Sequence, residues 1–462
     1  MKITSRRLSL FLGPLFSLLV TGCTTLSFVE DFSPSEELGP GQALSPFSDS
    51  KIRIAQTLVG KEDWIIIIDN LCAAREEKGL AHELHAQFAM SDMERQAYRV
   101  AANRASSEDL KAEDCILGAS LEVPIRTFSL PKPKTTTLQT AQHTEPAIDP
   151  LSHQQQHLDY LGFFKNLEKI RSTTIDKDRR PIIAIVDTGV DSQHEDLKDV
   201  MWTDSQGHHG RDLVQGDNEP QDGHGHGTHV AGLAAAASEN GIGITGIGRA
   251  QIMAVRVLDN SGSTTTDVVT NGILWAADHG ADVINLSLGG QVKEFSPALQ
   301  EAIAYAANKN IFIVAAAGND GLELSDSFRM EPAGFAKDIK GMVSVGSVDT
   351  ERQMLSEFSN FSGSYVEILA PGAADSAGEK LEGLLSTVPG DPKYSRMAGT
   401  SMATPIVAGA VAVIISKYRL TDTEYTASDI EDELRGLGRP EDSLKNYSIE
   451  GRVLDLNRLN SR

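Results

Sequence analysis

From residue 149 onward, short apolar runs alternate with helical stretches, and that alternation leaves few folds open. The runs at 182–186, 251–257, 282–286, 311–316 and 343–347 have strand length and few polar interruptions. Helical patterns over 266–279 and 297–309 separate them, and a small-residue helix is expected from about 401 to 417. Strands apolar on both sides belong in a parallel sheet whose two faces are covered by helices. Pro405 falls in the first turn of the last helix, where a missing N–H does little harm. The fold class is α/β, a parallel sheet flanked by helices, and residues 149–462 form this large domain.

A chain of 462 residues suits two domains rather than one. Residues 51–128 read as a small α+β unit. It opens with the strand signal Trp64-Ile65-Ile66-Ile67-Ile68, runs through a helix-rich stretch to about Ala112, and returns as a strand over 115–123. Residues 129–148, with Pro131, Pro133 and Pro146, read as a linker.

The N-terminus carries targeting information. Lys2, Arg6 and Arg7 precede an apolar run, Leu8 to Val20, too short to span a bilayer as a mature helix. The run ends in Val20-Thr21-Gly22-Cys23, which resembles a bacterial lipobox. Residues 1–22 are then a signal peptide, Cys23 is the lipidated residue, and 23–50 is a flexible tether rich in Ser, Pro and Gly. The alternative is an ordinary signal peptide with a chance cysteine. With Cys23 acylated, Cys72 and Cys115 remain as an even pair in an oxidising compartment, either bridged or buried as free thiols. The formal charge of −22 argues against a nucleic-acid partner.

Three short segments carry chemistry. Asp187, in Ile185-Val186-Asp187-Thr188-Gly189, sits at the carboxyl end of a buried strand, where α/β sheets build their sites. Alone it reads as a strand-end or capping acid. In Gly223-His224-Gly225-His226-Gly227-Thr228-His229, three histidines suggest metal binding, but the small residues between them suit a tightly packed helix start presenting one imidazole. In Gly399-Thr400-Ser401-Met402-Ala403-Thr404-Pro405, the serine opens a helix, with backbone N–H groups pointing the same way. Alone it reads as a cap.

Together, IVDTGVD, HGTHVAG and GTSMATP are similar, almost letter for letter, to the three signatures of the subtilisin-like serine proteases, in the same Asp, His, Ser order. The resemblance covers about residues 149–435. It implies a serine endopeptidase working through an acyl-enzyme, with Ser401 as nucleophile, His226 as general base and Asp187 as its orienting carboxylate. Asn319, in Ala317-Gly318-Asn319-Asp320, would donate to the oxyanion. Ser287, Leu288 and Gly289 would pair with extended substrate backbone on one side, and Gly262 and Ser263 on the other. No cofactor is implied for the chemistry. The partners are protein or peptide substrates and, through the lipid on Cys23, a membrane, with the protein exported to the periplasm or cell exterior. Residues 51–128 match the position and size of the propeptide such enzymes often carry, and processing is expected in the 129–148 linker. The rival is an inactive, peptide-binding pseudoprotease.

Two further expectations concern charge. Asp212, Asp217, Asn218, Glu219 and Asp222 crowd the loop before His226, as either a structural calcium site or a solvated acidic loop. Glu331, with Asp320, Glu323 and Asp326, suggests some preference for basic residues before the scissile bond.

Overall fold

The computed structural model describes residues 64–69, 92–100, 115–121, 124–127, 148–375 and 381–459. The signal, tether, Cys23, Cys72 and most of the linker lie outside the described residues. All that is described belongs to one compact unit, Ser50–Arg462.

The first sheet has three antiparallel strands: β1 (Trp64–Asp69) lies between β2 (Arg95–Val100) and β3 (Ile116–Leu121). Ile65 to Ile68 are fully buried, as expected of a β-branched run at a sheet's centre. β2 corrects the expectation of helix through about Ala112. Its Arg, Gln and Ala are helix formers by propensity, and only pairing with β1 makes them a strand. A fourth segment, β4 (Pro124–Thr127), leaves this sheet.

Two short helices, α1 (Gln156–Tyr160) and α2 (Leu167–Ser172), lead into the large domain. Its sheet grows from β5 (Ile182–Asp187), flanked by β7 (Gln251–Arg256) and β9 (Val283–Leu286), all parallel. β6 (Gly210–Asp212) extends one edge. The other side continues through β11 (Phe312–Ala316), β13 (Met342–Asp349) and β15 (Ile368–Ala373). Alternation along β5 feeds two cores: Ile183 and Ile185 face one cluster, Ala184 and Val186 the other. The first cluster is closed by α3 (His226–Ala235), α6 (Thr400–Leu420) and α7 (Ala427–Leu437). The second is closed by α4 (Thr266–Asp278) and α5 (Pro297–Asn308). α6 is apolar and 21 residues long, and it is buried from Thr400 through Ser416 as a core helix.

The small sheet packs on α4 and α5. Asn271 on α4 pairs its amide with the edge of β2, accepting from Ala97 N (2.7 Å) and donating to Ala97 O (2.9 Å). Arg95 reaches Glu301 on α5 at 2.8 Å.

Two imidazoles in the first core make the fold acid-sensitive. His157 on α1 and His229 on α3 have no exposed surface. Burial, with the positive Arg396 nearby, pushes His157 down to about 3; burial, with His226 nearby, does the same to His229. The unfolded chain protonates both near the ordinary 6.5, so it takes up protons before the folded chain does. Stability should fall as pH drops from about 6.5 towards 3, by roughly 1 kcal/mol per pH unit for each imidazole. Urea midpoints across that range check this, and His157→Gln should flatten the slope.

Candidate active site

Asp187 ends β5, where its carboxylate has no exposed surface. Its Oδ1 accepts from Thr188 N and from His226 Nδ1, each at 2.7 Å. His226 opens α3 and is equally buried. That approach depends on glycine: a Cβ on Gly227 would lie 2.1 Å from Gly189 O and 3.2 Å from the Asp187 Cβ. Accepting at Nδ1–H, the carboxylate holds the tautomer whose Nε2 is free to take a proton.

Ser401 is the second residue of α6. Its Oγ donates to Ser287 O at 2.9 Å, and Ser287 Oγ donates back to Ser401 O at 2.9 Å. His226 Nε2 is buried and has no hydrogen-bond partner among the described residues. Two of the three expected groups are thus joined, while the serine hydroxyl is turned to a backbone carbonyl. Such contacts commonly tighten only around substrate.

Asn319 follows β11, and its Oδ1 accepts from both Thr400 N and Thr400 Oγ1 at 2.9 Å. Because the amide is planar, fixing its oxygen on Thr400 turns the NH₂ edge the other way. Thr400 is a functional neighbour that sequence reasoning missed, although it stands inside the GTS motif.

The two strands expected to hold substrate already share a partner. β4 lies between β8 (Ser263–Thr265) and β10 (Leu288–Val292), antiparallel to both. Thr127 pairs with Leu288 and Arg126 with Gly289, while Ile125 pairs with Thr264. Thr127 N donates to Gly262 O at 3.0 Å. The glycines permit this closeness: a Cβ on Gly290 would lie 2.6 Å from Pro124 O. Ile125 is 1% exposed and Arg126 faces solvent, the alternation of a strand lying on an apolar floor.

The acidic loop does not bring its five oxygen donors together as a ligand set. Asp212 pairs with Arg256 at 2.6 Å and accepts from Val214 N and Gln215 N. Asp217 accepts from Glu219 N, and Asn218 from Arg211. Glu219 is exposed, and Asp222 is taken up by Thr188, Thr228 and the backbone before α3. Among the described residues no group of three or more His, Cys, Asp or Glu is arranged to hold a metal. A cation would have to displace an arginine and several N–H donors, so these residues do not fit a calcium ion. Cys115, which precedes β3, is disulfide-bonded. The other two cysteines, Cys23 and Cys72, lie outside the described residues.

The profile of the subtilase family matches residues 178–435. This chain belongs to the subtilase family. It is similar to thermitase of Thermoactinomyces vulgaris, 42% identical over 273 residues, which cover 59% of this chain and 85% of that protein. Subtilisin DY of Bacillus licheniformis is 37% identical over 257 residues, covering 55% and 84% respectively. Among solved structures, fervidolysin from Fervidobacterium pennivorans aligns with TM-score 0.67 and 23% identity over 88% of this chain and 62% of that one. The epidermin leader peptide processing protease of Staphylococcus aureus aligns with TM-score 0.60 and 23% identity over 87% and 98%. Those two likenesses speak for the fold. This subtilase is a subtilisin-like serine endopeptidase acting on proteins or peptides.

Of the four carboxylates expected to favour basic substrates, Glu323 is exposed and the other three have partners of their own. Glu331, on the strand β12 (Arg329–Glu331) beside β10, is fully buried and accepts from Ser296 N, the start of α5. Burial pushes its carboxyl up to about 8, so it is largely uncharged at neutral pH. Asp320 accepts from Asn360, and Asp326 from the Tyr365 hydroxyl. The unfolded chain ionises Glu331 near 4.5 and the folded one near 8, so this residue lowers stability progressively as pH rises between those values. Glu331→Gln should remove that fall in melting scans while leaving the ratio of Arg-peptide to Leu-peptide cleavage within about twofold of wild type.

Proposed function

We propose that this subtilase cleaves peptide bonds through Ser401, His226 and Asp187, and that its N-terminal unit is an inhibitory propeptide whose last strand occupies the substrate slot. The observation that carries the reading is the position of β4. An extended segment lies between the two strands expected to pair with substrate, and its register runs towards the serine. Thr127, the last described residue of β4, pairs with Leu288, the neighbour of Ser287, whose carbonyl accepts from Ser401 Oγ. The proposed processing site therefore lies just beyond β4, in the 129–148 linker.

In the proposed reaction Ser401 Oγ leaves Ser287 O, gives its proton to His226 Nε2 and attacks the peptide carbonyl. His226 returns that proton to the departing amine, a relay worth roughly 10²–10⁴-fold. Asp187 holds the ring and stabilises the imidazolium. The carbonyl oxygen, now an anion, is met by the Asn319 amide and the Ser401 N–H at the start of α6. Water then attacks the acyl-enzyme by the same steps in reverse order. Ser287, Leu288 and Gly289 on one side, with Gly262 and Ser263 on the other, hold the substrate by its backbone, which makes recognition broad. Cys72 is the proposed partner of Cys115, closing a loop within the propeptide. The N-terminal sequence supports export and a diacylglyceryl anchor on Cys23, placing the enzyme on a membrane facing the periplasm or cell exterior.

The test is self-processing beside casein hydrolysis. Wild type should yield a mature chain beginning within the 129–148 linker and hydrolyse casein, while Ser401→Ala should do neither and keep its propeptide. Casein hydrolysis by Ser401→Ala, or a wild-type chain inert in both assays, contradicts the reading. Asn319→Ala should lower kcat by roughly 10²–10³, the range known for this type of donor, subtilisin's included, with KM little changed.

A further inference from the structure

The helix that presents His226 has an unusual start. Its N-cap is Gly225, in the left-handed region at φ +99, which offers no side-chain oxygen to the first N–H groups. Those donors are satisfied from two other places. Gly227 N donates to Thr188 Oγ1 at 2.9 Å, and Thr228 N donates to Asp222 Oδ2 at 2.9 Å. Thr228 Oγ1 also donates to Asp222 Oδ2, at 2.7 Å. The other oxygen of Asp222 accepts from Thr188 Oγ1 (2.8 Å), His224 N (2.9 Å) and Gly225 N (2.7 Å).

Asp222 and Thr188 therefore form one unit. Thr188 is the residue after Asp187, and its own N–H donates to Asp187 Oδ1. Its hydroxyl passes a hydrogen bond from the helix to Asp222, and Asp222 grips both the loop before His226 and the residue two beyond it. The end of β5 and the first turn of α3 are thus joined by buried, charge-assisted hydrogen bonds rather than by packing alone. With no Cβ at Gly227 to set the spacing, these bonds fix how closely the helix start approaches the strand.

We propose that Asp222 is a positioning residue for peptide hydrolysis, acting with Thr188 to lock the helix start against the strand end so that His226 meets Asp187 in one orientation. Asp222 touches neither substrate nor a reacting atom; it acts through His226. The inference rests on the proposed use of His226 as general base.

Chains expressed at full length and allowed to process test it, with kcat and KM read on the processed fraction. Asp222→Asn keeps the shape but replaces one acceptor by an NH₂ group, which cannot take two donors. Thr188→Val keeps the shape and removes the hydroxyl, while Thr188→Ser keeps the hydroxyl. The first two should lower kcat on the order of 10²-fold, the cost of a small misplacement of a reacting group. KM should stay within about twofold, since substrate backbone is held elsewhere. Both should also lose the far-downfield proton NMR signal of the hydrogen bond between His226 Nδ1 and Asp187. Thr188→Ser should keep kcat and signal. Wild-type kcat in both variants overturns the inference, and so does a loss that merely tracks the folded fraction with the downfield signal intact. If Asp222→Asn does not fold, Thr188→Val decides. A wild-type chain with no hydrolysis would count against the proposed function, while the NMR signal would still decide whether Asp222 and Thr188 hold the pair.

Discussion

The buried hydrogen bond between Asp187 and His226 is the constraint around which this molecule is arranged. A carboxylate and an imidazole without exposed surface are costly to bury apart and acceptable together. Joining them requires the end of a central strand and the start of a helix to touch almost backbone to backbone. That explains glycine at 227, where a methyl group would strike Gly189 O. It also explains why the central sheet is parallel: only strands ending at one edge deliver Asp187 there while helices from both faces close the cores.

The serine reaches the site by a different route. α6 runs through the middle of one core, and its small residues let it lie against the sheet with its N-terminus at the same edge. Ser401 and Ser287 exchange hydrogen bonds, so the start of α6 is tied to the segment that leads into β10. Thr400 is tied in the same way to Asn319. Ser401, Thr400, Asn319 and Ser287 form one hydrogen-bonded piece, and a shift in any of them moves the others. β4 lies between β8 and β10, and the serine hydroxyl rests on Ser287 O, with no hydrogen bond to the imidazole.

Much of this was legible in the sequence, for physical reasons. Apolar strands such as 182–186 announce themselves because burial on both faces demands it, and the segments around Asp187, His226 and Ser401 are short and locally determined. What escaped were features set by distant partners. β2 contains helix formers and becomes a strand only beside β1. β4 is four residues with a proline at its head, and nothing local says it will lie between two other strands. The acidic loop looked like a cation site because composition does not show that Arg256 already faces Asp212. Glu331 looked like a pocket charge because sequence does not show which way a side chain turns. Asp222 stood out only as one more loop acid, because composition does not show that its carboxylate accepts from Thr188, Thr228 and the backbone before α3.

The central claim is that this arrangement makes one hydroxyl in the chain a nucleophile. Treating the folded, processed protein with a fluorophosphonate and mapping the adduct by peptide mass spectrometry measures that directly. The account predicts a single adduct, on Ser401, whose formation slows drastically when His226 is replaced by alanine. An adduct on another residue, or a rate indifferent to the imidazole, would contradict it.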